Sequence, residues 1–120
     1  MSFSNQGHEG GRVYRLDRFV VPPAARDELL TRIGQTHEIL RRQAGFLQDF
    51  LLERPGEGGA TIVVTMVEWE SQDTVDRVVP IVQAAHREMG FNPKETIARL
   101  GVTAELGIYQ PVARRDPVPA

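Results

Sequence analysis

The chain has 120 residues, of which 41% are hydrophobic and 25% are charged, and its formal net charge is −2. This composition is typical of one globular domain that can bury a hydrophobic core. The balance of charge argues against nucleic acid as the main partner, because phosphate binding needs a concentrated positive patch.

The lack of cysteine and of long apolar runs excludes further classes. Disulfides, thiolate catalysis, iron–sulfur clusters and cysteine zinc sites all require cysteine. No apolar run approaches the roughly 18 residues that span a bilayer, so no membrane partner is expected. The N-terminal segment lacks the apolar core of a signal peptide, and we therefore expect a cytoplasmic protein.

Three segments are distinguished by composition. Residues 1–12, "MSFSNQGHEGGR", are predicted to form a flexible arm. Residues 111–120, "PVARRDPVPA", contain three prolines and predict a tail that cannot join the interior of a sheet. The ordered domain is predicted to run over residues 13–110.

The first half of the ordered domain predicts a strand, a helix and a second strand. Residues 13–21 are rich in β-branched and aromatic residues and end at two prolines, which is typical of a strand. Residues 24–43 repeat apolar side chains at helical spacing, and Gly45 is expected to end this helix. In the second strand, over residues 46–53, simple alternation places Phe46 on the same face as Phe50 and Leu52.

The second half begins with the strongest β signal of the chain. A glycine-rich loop leads into a strand over residues 61–69, "TIVVTMVEW". Ser71 is a good N-cap for a second helix, in which Pro80 is expected to cause a kink or a restart. Asn92 and Pro93 predict a short helix that ends at Gly101, and a fourth strand follows over residues 102–109.

The order β-α-β-β-α-β predicts an α+β, ferredoxin-like fold with a four-stranded antiparallel sheet. Two main helices can cover only one face of this sheet, yet the second and third strands are apolar on both faces. Apolar area of that size usually marks a partner interface. The simplest partner is a second copy of the chain, so we expect a homodimer with its two sheets face to face.

Three segments resemble those of a known family. "AGF" opens the second strand, "VEWES" joins the third strand to the second helix, and "AAHRE" lies late in that helix. Together with the element order, these segments are similar to the antibiotic biosynthesis monooxygenase family, over roughly residues 13–110. Members are small proteins that form dimeric α/β barrels, and they include quinol and anthrone oxygenases and haem-degrading enzymes.

Two groups of members are each matched in part. Anthrone-oxidising members carry an asparagine four residues before the tryptophan, where this chain has Thr65 before Trp69, and a late helix arginine that Arg87 matches. Haem-degrading members place a histidine in "AAH", which His86 matches. They also carry an asparagine on the first strand, where this chain has Asp17, and a second tryptophan, for which this chain has only valine.

The resemblance implies a cofactor-independent monooxygenase. Such an enzyme would use O₂ to oxidise a polycyclic phenol, anthrone or hydroquinone to a quinone, as in aromatic polyketide metabolism. The substrate would supply the electrons, and the sequence has no dinucleotide fingerprint or paired metal-ligand spacing. Two alternatives stay open: a haem-binding or haem-degrading enzyme with haem as its cofactor, and a non-enzymatic ligand-binding or assembly module of a biosynthetic pathway.

The resemblance also suggests catalytic roles. His86 would take the phenolic proton, Arg87 would hold the anion, and Trp69 would position the ring and the oxygen intermediate. Each of these residues also has a structural interpretation. Trp69 can be a core anchor, His86 a core histidine bonded to the backbone, and Arg87 a solvated helix residue.

Three further residues are candidates for substrate binding. Thr65 and Trp69 share a strand face and lie about 13 Å apart, which matches the length of a flat tricyclic ligand. Arg15 and Asp17 share a face of the first strand and would be polar groups in an apolar cleft. Thr65 can also be explained by strand propensity alone.

Overall fold

The computed structural model of the protein describes residues 11–113. Almost all of the predicted N-terminal arm, and residues 114–120 of the predicted tail, lie outside the described residues. Within the described part, no helix is both long and apolar enough to cross a membrane.

Within residues 11–113, four strands and three helices follow the predicted order. The strands are β1 (Val13–Val21), β2 (Phe46–Pro55), β3 (Thr61–Trp69) and β4 (Thr103–Tyr109), and the helices are α1 (Arg26–Arg41), α2 (Gln72–Glu88) and α3 (Pro93–Leu100). Short 3₁₀ turns precede α1 and join β2 to β3. The strands form one antiparallel sheet in the order β2-β3-β1-β4, which confirms the predicted ferredoxin-like fold.

The helices begin as the sequence predicts, but α2 is not divided. The Ser71 hydroxyl accepts a hydrogen bond from the Thr74 amide, and the Asn92 side chain accepts one from the Glu95 amide. The prediction that Pro80 restarts the helix is wrong, because α2 is one continuous helix, while the predicted kink stays a prediction. Pro80 and Asp76 are both exposed, so the carbonyl that loses its N–H partner lies on the side of the helix that water reaches.

Gly45 has a different role from the predicted one. Helix α1 already ends at Arg41, and Gly45 lies in the turn into β2 with φ = 93°. A Cβ atom at this position would lie 2.5 Å from the Thr74 Cγ2 atom. Glycine is therefore required both by the positive φ and by the close approach of α2.

The start of β2 corrects one prediction about the sheet faces. The register with β3 shifts between Phe46 and Gln48, so that Phe46 lies opposite Trp69 while Phe50 lies opposite Met66. This β-bulge changes the alternation, and Phe46 therefore faces the helices, on the other face from Phe50 and Leu52. The expectation that all three share one face is wrong for Phe46.

Two apolar clusters lie between the sheet and the helices. The first contains Phe19, Val21, Leu29, Ile33, Val63 and neighbours, beneath α1 and close to α3. The second contains Val13, Val67, Trp69, Val75 and Val78, beneath α2. The space between these clusters is the site described below.

The other face of the sheet carries no helix, and we call it the open face. Its apolar side chains include Leu16, Val20, Phe50, Leu52, Val64 and Met66. Phe50 and Leu52 are 48% and 57% exposed. Glu68 is only 4% exposed on this face and accepts hydrogen bonds from Arg12, Tyr14 and Gln48.

Candidate functional site

A cavity of about 360 Å³ lies between the helix-covered face of the sheet and the three helices. Most of its wall is apolar and comes from both clusters described above, including Phe19, Leu29, Val67, Val75 and Val78. A few polar side chains interrupt this wall. Cavities of roughly 300–1,000 Å³ with mostly apolar walls and a few polar groups are typical of small-molecule sites.

Strand β3 contributes Thr65 and Trp69 to the cavity wall. Both residues are 3% exposed. Trp69 packs edge-on against Phe46, with ring centroids 5.8 Å apart, and it belongs to the second apolar cluster. Trp69 is therefore both a core anchor and a cavity residue. The Thr65 hydroxyl has no side-chain hydrogen-bond partner among the described residues.

His86 reaches the cavity from α2, where it follows the buried stripe of Val75 and Val78. Its Nε2 atom lies 2.9 Å from Thr36 Oγ1 on α1, and its ring meets Phe91 edge-on at 4.9 Å. Burial lowers the pKa of His86 below the usual value of 6.5. The imidazole is therefore neutral at neutral pH and can accept a proton.

Strand β1 places an ion pair at the cavity. The Arg15 Nε atom donates to Asp17 Oδ1 at 2.7 Å, and both side chains line the wall. Asp17 lies directly opposite Thr65 in the strand register. The two terminal nitrogens of Arg15 have no partner among the described residues, so they are available to an anionic group of a ligand.

Arg87 does not join these residues. Its side chain is exposed and is absent from the cavity wall, because it lies about 100° round α2 from His86. A different cation, Arg32 of α1, lines the cavity and lies over the Phe91 ring at 4.7 Å. This contact joins α1 to the turn between α2 and α3, so it depends on how the helices pack together.

A second imidazole in the wall was not among the predicted site residues. His37 of α1 is 6% exposed, and its Nδ1 atom lies 2.9 Å from Asp49 Oδ2 on β2. Arg41 Nε donates to the same oxygen at 3.0 Å. The sequence signal was the position of His37 on the apolar stripe of α1, in phase with Leu29 and Ile33.

The haem alternative would use His86 as the axial ligand. Its Nε2 atom is hydrogen-bonded to Thr36, so an iron ion bound at that nitrogen would have to replace this hydrogen bond. Separately, the described residues contain no group of three or more His, Asp or Glu side chains that could hold a metal ion.

Comparison with known proteins agrees with this architecture. Residues 12–79 match the sequence pattern of the antibiotic biosynthesis monooxygenase family. An asparagine-to-alanine variant of SnoaB, a cofactor-independent oxygenase from Streptomyces nogalater, is 26% identical. Its TM-score is 0.58, and the alignment covers 91% of this chain and 98% of SnoaB.

Two more distant structures share the fold alone. A putative monooxygenase from Shewanella loihica PV-4 is 16% identical, with a TM-score of 0.63 and coverage of 86% of this chain and 96% of its own. A dimeric ferredoxin-like protein from an uncultured marine organism is 12% identical, with a TM-score of 0.61 and coverage of 86% and 97%. No curated protein matches the sequence significantly.

Proposed function

Because the chain belongs to the antibiotic biosynthesis monooxygenase family, we propose that it is a cofactor-independent monooxygenase. Its substrate would be a polycyclic phenol, anthrone or hydroquinone that is oxidised to a quinone by O₂. The observation that carries this proposal is the cavity, whose apolar wall joins Trp69, Thr65 and a neutral His86. The likeness to SnoaB supports a monooxygenase-type reaction.

The reaction follows from the groups in the wall. His86 removes the phenolic proton, and the phenolate transfers an electron to O₂. The two radicals combine at carbon, and loss of water leaves a carbonyl group. One oxygen atom ends in the quinone and the other in water, while all four electrons come from the substrate. No external reductant is therefore needed.

Other side chains hold the substrate during these steps. The Trp69 ring stacks on the flat substrate, and its indole N–H can donate to an oxygen. The free terminal nitrogens of Arg15 take the role that the resemblance assigned to Arg87, because they lie at the cavity. Asp17 holds Arg15 in place through the 2.7 Å hydrogen bond.

Oxygen consumption tests this function. The protein, treated with a chelator, is mixed with a panel of anthrones and quinols that includes dithranol (1,8-dihydroxyanthrone). We expect uptake above the spontaneous rate, and an approximately hundredfold loss in His86→Gln. Trp69→Phe should also lower the rate, whereas the exposed control Glu88→Gln should retain it. Clear binding of the panel without uptake would instead indicate a ligand-binding module.

The pH dependence of kcat/KM is a second test of the role of His86 as the proton acceptor. Because burial lowers the pKa of His86, the imidazole stays able to accept a proton at pH values where an exposed histidine is charged. The acid limb of kcat/KM should therefore lie below pH 6.5. An acid limb above that value would assign the proton transfer to another group.

We further propose that the protein is a homodimer that buries the open face. That face presents Phe50, Leu52 and their neighbours, and its buried carboxylate, Glu68, is already hydrogen-bonded within the chain. Exposed apolar side chains grouped on one face usually mark a partner interface, and the hydrogen-bonded Glu68 adds no unpaired charge to it. Sedimentation at micromolar concentration should give twice 13.4 kDa.

A further inference from the structure

His37 and Asp49 form a buried pair that the proposed reaction has not used. Their side chains are 8% and 13% exposed, and the His37 Nδ1 atom lies 2.9 Å from Asp49 Oδ2. The pair joins α1 to β2 at one wall of the cavity. Arg41 holds the same carboxylate oxygen at 3.0 Å from the more exposed side.

The contact with Asp49 determines which nitrogen of His37 carries the proton. An ionised carboxylate only accepts hydrogen bonds, so the proton of a neutral His37 must lie on Nδ1. The lone pair then lies on Nε2, which has no hydrogen-bond partner among the described residues. His86 differs, because its Nε2 atom is occupied by Thr36.

Several charged and titratable groups surround His37 or share its cavity. Asp49 on β2 contacts it directly, and Arg41 of α1 contacts the same carboxylate. Arg15, Asp17, Arg32 and His86 line the same cavity, and His86 contacts Thr36, the residue that precedes His37. Two histidines, one from α1 and one from α2, therefore line one cavity. One is held by a hydroxyl and the other by a carboxylate.

We propose that His37 is a second proton-transfer residue for the molecule bound in the cavity, and that Asp49 is its positioning residue. The chemistry rests on the proposed oxygenase function, which needs two separate deprotonations. His86 takes the phenolic proton at the start. After oxygen has added to the ring, the peroxide takes this proton back from His86 and becomes a hydroperoxide. His37 then takes the carbon-bound proton of the hydroperoxide.

The second step balances without any further reactant. His37 Nε2 removes the proton from the carbon that carries the peroxide, and the C–H electron pair becomes the second bond of the carbonyl. The O–O bond breaks, and hydroxide leaves. The hydroxide takes the proton back from His37, so that the products are a quinone, water and a neutral imidazole.

Oxygen uptake with dithranol tests this assignment. We expect His37→Gln to lower the catalysed rate about a hundredfold, while the affinity for 1,8-dihydroxyanthraquinone, measured by quenching of Trp69 fluorescence, changes little. Asp49→Asn should lower the rate about tenfold or more through the wrong tautomer. Glu38→Gln, on the exposed side of α1, is the matched control. A His37→Gln rate within twofold of the unchanged protein overturns the proposal.

Nitrogen NMR provides a test that does not depend on oxygenase activity. In the unchanged protein, His37 should be the Nδ1–H tautomer, and added 1,8-dihydroxyanthraquinone should shift its Nε2 resonance. Asp49→Asn should lose this tautomer, whereas Arg41→Gln should keep it. If no substrate gives oxygen uptake, the proposed function fails. The NMR result then tests separately whether the Nε2 atom of His37 carries the lone pair and lies at the bound quinone. An Nε2–H tautomer, or an Nε2 resonance that does not shift when the quinone is added, overturns the proposal.

Discussion

The open and covered faces of the sheet differ in how the polar groups described above are paired. On the open face, Glu68 is buried and has three hydrogen-bond donors around it. On the covered face, Thr65 and the terminal nitrogens of Arg15 line the cavity and have no such partners within residues 11–113. A buried carboxylate outside a site needs partners within the chain, whereas a site that receives a ligand leaves some polar atoms available.

The largest expected effect is a loss of stability caused by a substitution on the covered face. Phe19 is 6% exposed and belongs to the first apolar cluster, so Phe19→Ala should lower the free energy of unfolding by about 3–5 kcal/mol. Urea denaturation at constant protein concentration measures this change in the free energy of unfolding. The control is Val20→Ala, which alters the next residue on the open face and should cost less. Equal losses would mean that the two faces contribute equally to the stability of one chain.

Association should depend on the open face alone. Leu51 and Leu52 are neighbours on β2 with similar exposure, 44% and 57%, but they point to opposite faces. Leu52→Lys should place two unpaired charges in the proposed dimer interface and weaken association by about 3 kcal/mol, or more than a hundredfold. Leu51→Lys should leave the sedimentation coefficient unchanged. Dissociation by Leu51→Lys and not by Leu52→Lys would put the interface elsewhere.

The smallest expected effect concerns the pH dependence of stability. Burial lowers the pKa of His86 below 6.5 in the folded chain, so the unfolded chain binds a proton first on acidification. The contribution of His86 to the free energy of unfolding is fully present above pH 6.5 and declines as the pH falls towards the lowered pKa. His86→Gln should flatten this part of the curve of Tm against pH. An unchanged curve would show that another group controls this range.

The local sequence pattern was sufficient to predict most of the fold. The alternation of β3 correctly put Thr65 and Trp69 on one face, because its pairing has no irregularity with β1. The phase of α2 likewise put His86 among buried valines. The same phase puts Arg87 about 100° round the helix from His86, on the exposed side, as its interpretation as a solvated helix residue requires.

Contacts between residues that are far apart in the sequence could not be predicted in this way. The bulge after Phe46 is a property of the β2–β3 register, which depends on both strands. Whether Asp49 faces the helices depends on that register, and so does its contact with His37. Arg32 lies over the Phe91 ring although the two residues are far apart in the sequence. These contacts come from tertiary packing, which a single sequence does not display.

The interior position of β3 between β2 and β1 constrains how the molecule can diversify. Each side chain from Ile62 to Trp69 faces either the helices or the open face, so few substitutions in this strand would be neutral. Helix residues at the cavity rim, such as Val79 and Gln83, touch the cavity but are exposed and lie outside the sheet. Evolution towards a new substrate would therefore accumulate changes first in α1 and α2, while β3 stays almost unchanged.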